Sequence, residues 1–244
     1  MISVCLAAYN GEKFIHEQLQ SVLAQIDAGD EIILADDGSS DATVNLVQNL
    51  GDPRIKILTS PAPLGVVKNF ERALSAARGD CIFLCDQDDI WLPGKVQACL
   101  QALQTHLLVV TDCTVTDAEL NPLHPSFFRL RDSGPGILKN IIKNSYLGCC
   151  MAFRRELLTH ALPIPRQTPM HDMWLGMLAE YHGSVFFLPN PYILYRRHGH
   201  NATPTAGQSS FSLLAKLRYR LTLARLLAAR CWMLPMKKLI LRQF

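Results

Sequence analysis

The stretch CIFLCDQDDIWLPGK, residues 81–95, joins an apolar run, a dense acidic turn and the start of a helix. Cys81–Cys85 is apolar enough for a buried strand, and the turn DQDD (residues 86–89) follows it directly. Pro93 favours the beginning of a helix, because its fixed φ suits the first helical turn. The order of strand, polar turn and helix is typical of sheets whose strands run parallel.

Similar units precede and follow this stretch. The apolar run Ile2–Ala7 ends at the turn signal YNG, and Glu31–Ala35 ends at the turn DDGSSD. The pattern predicts strands at 2–7, 31–35, 54–59, 81–85 and 107–115, and helices at 12–25, 42–50, 65–78 and 93–104. Such alternation indicates an α/β fold, with a Rossmann-like, mainly parallel central sheet flanked by helices. Because ligands bind beyond the carboxyl ends of parallel strands, the three polar turns should converge on one edge.

The alternation stops near residue 120. Residues 121–136 are rich in Pro, Gly and Ser, which favours a loop. The remaining pattern predicts a short helix at 137–144, a strand at 147–153, a helix at 171–182, one or two strands within 184–196, a loop at 198–210 and a helix from 211 to 232. We therefore expect one domain over residues 1–210, divided into halves at residue 115, and a separate tail at 211–244.

Composition limits the class of protein. Of the 244 residues, 49% are hydrophobic and 18% are charged, which are values of a globular chain. No apolar run approaches the ~20 residues of a membrane span, and the first residues do not resemble a signal peptide. Eight cysteines form no C-x-x-C pair, so packing in a reducing compartment is the expected role. A cytoplasmic protein is the simplest expectation.

The tail differs from the body in charge. Residues 211–244 hold eight basic residues and no acidic one, whereas residues 1–210 hold all 21 acidic residues. Interleaved with Leu and Ala, this composition predicts a basic amphipathic helix. Such a helix can lie on an anionic membrane surface. It can also pack on its own domain or on a partner subunit with the basic side solvated, and the sequence leaves both alternatives open.

The acidic turn after residue 85 is a candidate metal site. Clustered carboxylates repel one another unless something neutralises them, and carboxylate oxygens are the ligands that Mg²⁺ and Mn²⁺ prefer. Asp86 and Asp88 are the candidate ligands. A solvated acidic turn in front of a helix is the alternative.

Three other groups are candidates for chemistry. Asp37 offers acceptors for a pyrimidine base and Tyr9 a face for stacking, although helix capping and ordinary packing explain them equally. Asp172 is a candidate general base beside Trp174, a candidate wall for a sugar, although acidic residues are favoured at helix starts in any case. The guanidinium of Arg197, beside His198, suits a diphosphate, with a solvated basic turn as the alternative.

Several common motifs are absent. The sequence has no G-x-G-x-x-G after the first strand, no G-x-x-x-x-G-K-[ST] and no G-x-S-x-G. Their absence argues against a dinucleotide-dependent dehydrogenase, a P-loop NTPase and an α/β-hydrolase.

The motifs taken together resemble glycosyltransferase family 2, whose members adopt the GT-A fold. The resemblance rests, in order, on AAYNGEKFIHEQLQSVLAQ, ILADDGSSDAT, LGVVKNFERAL and RGDCIFLCDQDDIWLPGKV. It covers residues 1–115 most closely, which makes 1–115 the nucleotide-sugar half and 116–210 the acceptor half. The later pieces LGCCMAFRREL, MHDMW and YRRHGHN resemble the bacterial rhamnosyltransferase-like branch.

The resemblance implies roles by position. Asp172 matches the catalytic base of an inverting reaction. The implied contacts are with the nucleotide for Ala7, Ala8, Tyr9, Asp37, Lys68 and Asp86; with the metal for Asp88, Asp86 and His198; with the diphosphate for Arg197 and His198; and with the acceptor for Gly148, Cys149, His171 and Trp174. Leu64 stands where the family often has Asn, which removes one expected polar contact near the nucleotide.

The implied activity is transfer of a sugar, with inversion, from a nucleoside diphosphate-sugar to a hydroxyl group. The donor would be dTDP-rhamnose or a UDP-hexose, the cofactor Mn²⁺ or Mg²⁺, and the acceptor a glycan or lipid-linked glycan of cell-surface polysaccharide synthesis. No nucleic acid is implied, and the expected location is the cytoplasm, with peripheral contact on the inner face of the cytoplasmic membrane. A nucleotidyltransferase and a non-catalytic nucleotide- or carbohydrate-binding module remain as alternatives.

Overall fold

Strands and helices alternate through the first hundred residues, as the sequence pattern predicts. The structure is a computed structural model that describes residues 1–199 and 213–240. Its strands are β1 (Ile2–Ala8), β2 (Glu31–Asp36), β3 (Ile55–Leu58), β4 (Cys81–Asp86), β5 (Ile90–Trp91), β6 (Leu108–Thr116), β7 (Pro122–His124), β8 (Met151–Arg154) and β9 (Val185–Arg196). Its helices are α1 (Ile15–Leu23), α2 (Thr43–Leu50), α3 (Val66–Ala76), α4 (Lys95–Leu103), α5 (Phe127–Arg131), α6 (Ile137–Ile142), α7 (Leu158–Ala161), α8 (His171–His182) and α9 (Leu213–Ile240).

The first four strands form the parallel part of the sheet. Strand β1 pairs with β2 and β4, and β2 pairs with β3, all in parallel. Their registers place Ala8 beside Asp36 and Ala7 beside Asp86. The polar turns after β1, β2 and β4 therefore meet at one edge of the sheet, as predicted from parallel pairing.

The second half of the chain completes the same sheet. Its order is β3-β2-β1-β4-β8-β6-β9-β5, with β7 paired to β6. Strand β8 lies antiparallel between β4 and β6, and β5 pairs antiparallel with the end of β9. Strands β6 and β9 run parallel. The predicted halves are thus two stretches of sequence within one sheet.

Two local predictions in the second half are wrong. Residues 121–136 are not simply a loop, since they hold β7 and α5; Ser126 caps α5 by accepting the Arg129 N–H at 3.1 Å, and the Phe127 side chain is buried. The strand predicted at 147–153 begins with a 3₁₀ turn over Gly148–Cys150 and becomes β8 only afterwards. Strand β5 and helix α7 were too short for the hydrophobic pattern to reveal.

Helix α9 packs against the rest of the protein. Its Leu223 and Leu227 side chains are buried, and the Tyr219 hydroxyl donates to Sδ of Met173 at 2.7 Å. The Arg230 guanidinium donates to the carbonyls of His160 at 2.9 Å and of residues 162 and 163. The described part of the tail therefore matches the alternative of a helix packed on its own domain.

Part of the predicted tail lies outside the description. Residues 200–212 and 241–244, which include most of the predicted loop at 198–210, are outside the described residues, as are the side chains of 213–217 and 232–240. Among the residues that the structure describes, no helix is both long and apolar enough to cross a membrane.

Candidate active site

A pocket of about 390 Å³ opens at the edge where the polar turns meet. It is lined by nine residues that the sequence singled out: Ala7, Ala8, Tyr9, Asp37, Asp86, Asp88, Gly148, His171 and Asp172. Segments from β1, β2, β4, the turn after Leu147 and the start of α8 all contribute. The pocket is therefore built from both halves of the chain.

The turns after β1 and β2 hold each other in place. Asn10 adopts a positive φ of 49°, its backbone N–H donates to Ser39 Oγ at 2.9 Å, and its side-chain oxygen accepts the Ser40 N–H at 2.9 Å. The Gly11 N–H donates to Thr43 Oγ1 at 2.8 Å. These bonds satisfy backbone groups that the parallel sheet leaves unpaired, and they support Tyr9 at the mouth of the pocket.

Gln87 ties the acidic turn to the turn after β1. Its side-chain oxygen accepts the Tyr9 N–H at 2.8 Å and its amide donates to the Tyr9 carbonyl at 3.0 Å. A Cβ atom on Gly11 would lie 2.2 Å from Gln87 Oε1, so this contact requires glycine. Gln87, the central residue of the D-Q-D sequence, thus holds the backbone of Tyr9 in place. Tyr9 is 49% exposed, and its ring is available for stacking.

Asp37 holds the loop before α3, which lines the pocket through Gly65. Its two carboxylate oxygens accept the backbone N–H groups of Leu64 at 2.8 Å and Gly65 at 2.9 Å. Gly65 has a φ of 87°, which favours glycine, and it leads into α3. The Leu64 side chain is 50% exposed, so residue 64 contacts Asp37 through its backbone rather than its side chain.

The acidic turn carries an unusual concentration of negative charge. Burial, together with the charges of Asp88 and Asp172, raises the pKa of Asp86 to about 8. Among the described residues, no group donates a hydrogen bond to the Asp86 carboxylate. Burial, with the charges of Asp88 and Asp86, also raises the pKa of Asp89 well above its usual range. A cation in the pocket would relieve this repulsion.

The end of β9 closes over the acidic turn. Arg196 is buried; its backbone N–H donates to Asp89 Oδ1 at 3.0 Å, its Nε to the Asp88 carbonyl at 2.8 Å, and its Nη2 to Glu17 Oε2 at 2.6 Å. His198 Nε2 lies 2.7 Å from Asp88 Oδ2, and its ring stacks on Phe14. The structure thus brings His198 within hydrogen-bonding distance of the Asp88 carboxylate.

The described residues also contain a tighter potential metal cluster than the predicted one. Ligand atoms of Asp86, Asp89 and Cys149 all lie within 4.8 Å of one another. Burial raises the pKa of the Cys149 thiol well above its usual range, so the sulfur keeps its proton. A hard cation prefers carboxylate oxygens to a thiol. Of the three carboxylates in the turn, Asp86 and Asp88 line the pocket and Asp89 does not, so a hard cation in the pocket would meet the pair of Asp86 and Asp88.

The start of α8 supplies the reaction end of the pocket. Burial raises the pKa of Asp172 to about 7, although the Met173 N–H donates to its Oδ1 at 2.6 Å. Burial lowers the pKa of His171 to about 3, so its imidazole is neutral. Neither ring nitrogen of His171 has a partner among the described residues, and the ring stacks on Phe70. A Cβ on Gly148 would lie 2.9 Å from His171 Nε2, so glycine keeps this wall open.

Two predicted acceptor contacts are not in the pocket. Trp174 is fully buried, its indole N–H donates to the Ala161 carbonyl at 3.0 Å, and Arg230 lies over its ring. It is a core residue and not a wall for a sugar. Cys149 is buried behind Gly148, and its carbonyl accepts the Lys95 ammonium at 2.9 Å. Cys149 directly follows the lining residue Gly148, and Trp174 lies two residues after the lining residue Asp172. At both positions the side chain is buried in the protein interior.

Two predicted nucleotide or diphosphate contacts also lie away from the pocket. The Lys68 ammonium pairs with Glu71 Oε2 at 2.5 Å, on the side of α3 that faces a separate groove beside β3. Arg197 does not line the pocket; its backbone N–H donates to the Thr116 carbonyl at 2.9 Å. In this structure the cation nearest the acidic turn from that segment is Arg196.

Sequence reasoning missed several residues of the site. Asn69 lines the pocket and donates to the Ala35 carbonyl at 2.6 Å, and Tyr195 lines it from β9. Lys95 is fully buried, with its ammonium 3.9 Å from the centre of the Trp91 ring. The apolar environment gave no signal for a buried lysine. For Asn69 the signal was its place one turn into the helix that follows Gly65.

The order of this sheet, with carboxylates from β4 and α8 sharing a pocket at its edge, is that of the GT-A fold. The chain belongs to glycosyltransferase family 2, because residues 3–161 match the family described as "Glycosyl transferase family 2". The resemblance seen in the motifs, and the fold that it implied, are thereby confirmed.

Relatives of known name are glycosyltransferases. The dTDP-rhamnosyl transferase RfbG of Shigella flexneri is 28% identical over 221 residues, covering 80% of this chain and 72% of that protein. The Escherichia coli glucosyltransferase WfgD, named for UDP-Glc and α-D-GlcNAc-diphosphoundecaprenol, is 37% identical over 97 residues, covering 40% and 38%. An uncharacterised Mycobacterium bovis protein is 29% identical over 213 residues, covering 82% of this chain. The chain spans 59% of the length of that protein.

Solved structures of related fold include TarS and a mannosyltransferase. TarS of S. aureus, solved with UDP-GlcNAc, superposes with a TM-score of 0.69 at 20% identity, covering 91% of this chain and 66% of that one. The mannosyltransferase PcManGT of Pyrobaculum calidifontis, solved with GDP-Man and Mn²⁺, gives a TM-score of 0.61 at 20% identity, covering 78% and 55%. At these identities the similarity establishes the fold.

Proposed function

We propose that the protein transfers one sugar from a nucleoside diphosphate-sugar to an acceptor hydroxyl, with inversion at the anomeric carbon. The observation that carries this proposal is that Tyr9, Asp37, Asp86, Asp88 and Asp172 line one pocket. A stacking face, carboxylates for a base and a cation, and a separate buried carboxylate are the groups that such a reaction needs.

Asp172 is the proposed general base. It removes the proton of the acceptor hydroxyl while that oxygen attacks the anomeric carbon, and the nucleoside diphosphate leaves from the opposite side. The pKa of about 7 suits this role, since a base is most effective when its pKa lies near the working pH. Buried beside Gly148, Asp172 is also kept apart from bulk water. One proton moves to Asp172 and one bond replaces another, so no covalent sugar–enzyme intermediate is required.

Asp86, Asp88 and His198 are proposed to hold Mn²⁺ or Mg²⁺. The ion would neutralise charge on the diphosphate as it leaves. The unsatisfied Asp86 carboxylate and the repulsion that raises its pKa support this assignment. The PcManGT structure, solved with Mn²⁺, lends further support from the same fold.

The donor and acceptor are proposed from the relatives. RfbG favours dTDP-rhamnose and WfgD favours a UDP-hexose, and both bases present the same donor and acceptor groups to Asp37. The diphosphoundecaprenol in the name of WfgD favours a lipid-linked glycan acceptor in cell-surface polysaccharide synthesis. Such an acceptor would place the protein on the inner face of the cytoplasmic membrane.

Thermal unfolding with a panel of nucleotides, with and without Mn²⁺, tests the donor site. A ligand that binds only the folded state raises stability by about 2.7 kcal/mol at a hundredfold excess over its Kd. We expect a Mn²⁺-dependent rise with uridine or thymidine diphosphate in the native protein and none in Asp88→Ala. The matched control is Asp27→Ala, which removes an exposed carboxylate outside the pocket and should leave the rise intact.

The same panel separates the alternatives. A nucleotidyltransferase would respond to nucleoside triphosphates more than to diphosphate-sugars, and a binding module would show the rise without any release of nucleoside diphosphate. No response to any pyrimidine diphosphate would refute the proposed donor site.

A further inference from the structure

Helix α6 presents two large apolar side chains to solvent. Leu138 is 76% exposed and Ile142 is 65% exposed. On helix α9, Leu221 is exposed to a similar extent, 63%. The two helices adjoin, because the Arg220 guanidinium donates to the Ile142 carbonyl at 2.5 Å. Exposed leucine and isoleucine side chains grouped in this way mark a contact surface.

The same surface is basic. Lys143 directly follows Ile142 and is exposed, and Arg218 and Arg225 are exposed at positions that share the α9 face of Leu221. Helix α9 contains no acidic residue. Two acids near α6 already have partners: the Asp132 carboxylate pairs with Lys139 at 3.4 Å, and the Glu180 carboxylate accepts the Gly136 N–H at 2.8 Å. Lys143, Arg218 and Arg225 have no carboxylate partner among the described residues, and apolar side chains flanked by such cations match the interface of an anionic bilayer.

The inner side of α6 is anchored to the reaction end of the pocket. Asn140 is buried; its side chain accepts the Ser145 N–H at 2.8 Å and donates to the Gly134 carbonyl at 3.0 Å. The Gly136 N–H donates to Glu180 of α8 at 2.8 Å, and the Tyr146 hydroxyl donates to the same carboxylate. Tyr146 is followed by Leu147, which lines the pocket. The exposed side of α6 and the acceptor side of the pocket therefore belong to one hydrogen-bonded unit.

We propose that the outer face of α6 and α9, formed by Leu138, Ile142, Lys143, Arg218, Leu221 and Arg225, docks on an anionic lipid bilayer. Docking there presents the acceptor side of the pocket to a substrate carried in the membrane. This second step rests on the proposed glycosyltransfer to a lipid-linked acceptor, whereas the docking itself does not. The docking surface combines part of the predicted tail with α6, for which the hydrophobic pattern predicts only a short helix.

Sedimentation with vesicles tests the docking surface. Vesicles of phosphatidylglycerol and phosphatidylcholine should bind the native protein, and vesicles of phosphatidylcholine alone should bind it much less. Leu138→Ser combined with Ile142→Ser should weaken binding at least about tenfold, since the apolar contact is lost. Lys143→Glu combined with Arg218→Glu should weaken it by a similar factor and remove the preference for the anionic lipid.

Matched controls exclude general effects of surface change. Leu123→Ser replaces an apolar side chain that is 53% exposed on β7, and Lys56→Glu reverses an exposed charge on β3; both should bind as the native protein does. Unchanged binding in the α6 and α9 variants would overturn the proposal. So would loss of a dimer in light scattering when the same leucine and isoleucine are replaced, because a second copy of the chain would then cover the face.

Nucleotide binding provides the independent readout. Each variant should keep the Mn²⁺-dependent stabilisation by nucleoside diphosphate, because none of these residues lines the pocket. Vesicle binding without any nucleotide effect would refute the proposed function and leave the docking surface standing. A nucleotide effect without vesicle binding would refute the docking surface alone.

Discussion

The carboxylates at the two ends of the pocket differ in the hydrogen bonds that they accept. The proposed nucleoside end is formed by the turn after β2 and the loop before α3. There, Asp36 accepts the N–H groups of Gly38 at 3.1 Å and Ser39 at 3.0 Å, and Asp37 accepts two backbone N–H groups of the loop before α3. At the reaction end, Asp86 receives no hydrogen bond from a described residue, and burial raises the pKa of Asp172 to about 7.

This difference separates two uses of the same side chain. Carboxylates that accept several N–H bonds organise the backbone, and their removal leaves buried donors unsatisfied. Carboxylates held in a poorly satisfied state cost stability, and such groups are found where they serve a ligand or a reaction. The nucleoside end is therefore expected to matter for folding and the reaction end for turnover, and each of the following experiments tests that division.

The largest expected effect is on turnover at the reaction end. Asp172→Asn should lower kcat by about 10²–10⁴-fold, because the amide cannot accept the acceptor proton. Release of nucleoside diphosphate from the donor in the presence of acceptor measures this. Nucleotide-induced stabilisation should persist in the variant, and full turnover there would remove Asp172 from the mechanism.

The pH dependence of turnover should show the same group. Because Asp172 acts ionised and its pKa is about 7, kcat should fall about tenfold per unit as the pH drops below that value. Between pH 7, where half of the groups are ionised, and pH 5 the expected loss is about 50-fold. A profile that stays flat over this range would mean that another group takes the proton.

At the nucleoside end the expected effect is on stability. Asp37→Ala should lower the free energy of unfolding by about 1–3 kcal/mol, since the N–H groups of Leu64 and Gly65 lose their acceptor. Urea denaturation measures the change, with Asp27→Ala as an exposed control expected to stay within about 0.5 kcal/mol. Equal stability of the two variants would contradict the structural role of Asp37.

The smallest expected effect has the opposite sign. Asp172→Asn should raise the free energy of unfolding by about 0.5–2 kcal/mol at pH 8, where the native carboxyl is ionised and buried. The pKa of Asp172 in the folded protein is about 7, above the usual 3.8. The stability that protonation of Asp172 contributes is therefore fully present below about pH 4 and is lost as the pH rises through 7. The gain should therefore vanish at pH 4. A lower stability of the variant at pH 8 would mean that Asp172 supports the fold, as Asp36 and Asp37 do.

The nucleoside end was the easier of the two to predict. Strands β1, β2 and β4 are continuous apolar runs followed by polar turns, and parallel pairing alone brings Tyr9, Asp37 and Asp86 to one edge. These relations depend on residues close in sequence to a strand end. The pattern could not show that the Asp37 oxygens bond the loop at Leu64 and Gly65, because that contact joins separate units.

The reaction end could be predicted only in part. The motif around Asp172 marked the candidate base, but nothing in the pattern indicated that Trp174 points into the core while His171 faces the pocket. That choice depends on how α8 packs against α7 and α9, through contacts such as Trp174 with Ala161 and Arg230. Buried polar residues such as Lys95 and Arg196 likewise depend on partners more than 50 residues away.

The interleaved order of the sheet limits how this protein can be recombined. Strand β8 from the second half lies between β4 and β6, and β5 pairs with β9 across more than a hundred residues. A chimera joined at residue 115 to the second half of another family member would replace β8, one of the two neighbours of the strand that carries Asp86. Exchange of acceptor preference between relatives is therefore better attempted by grafting short segments, such as the one that holds Leu147 and Gly148, than by swapping halves.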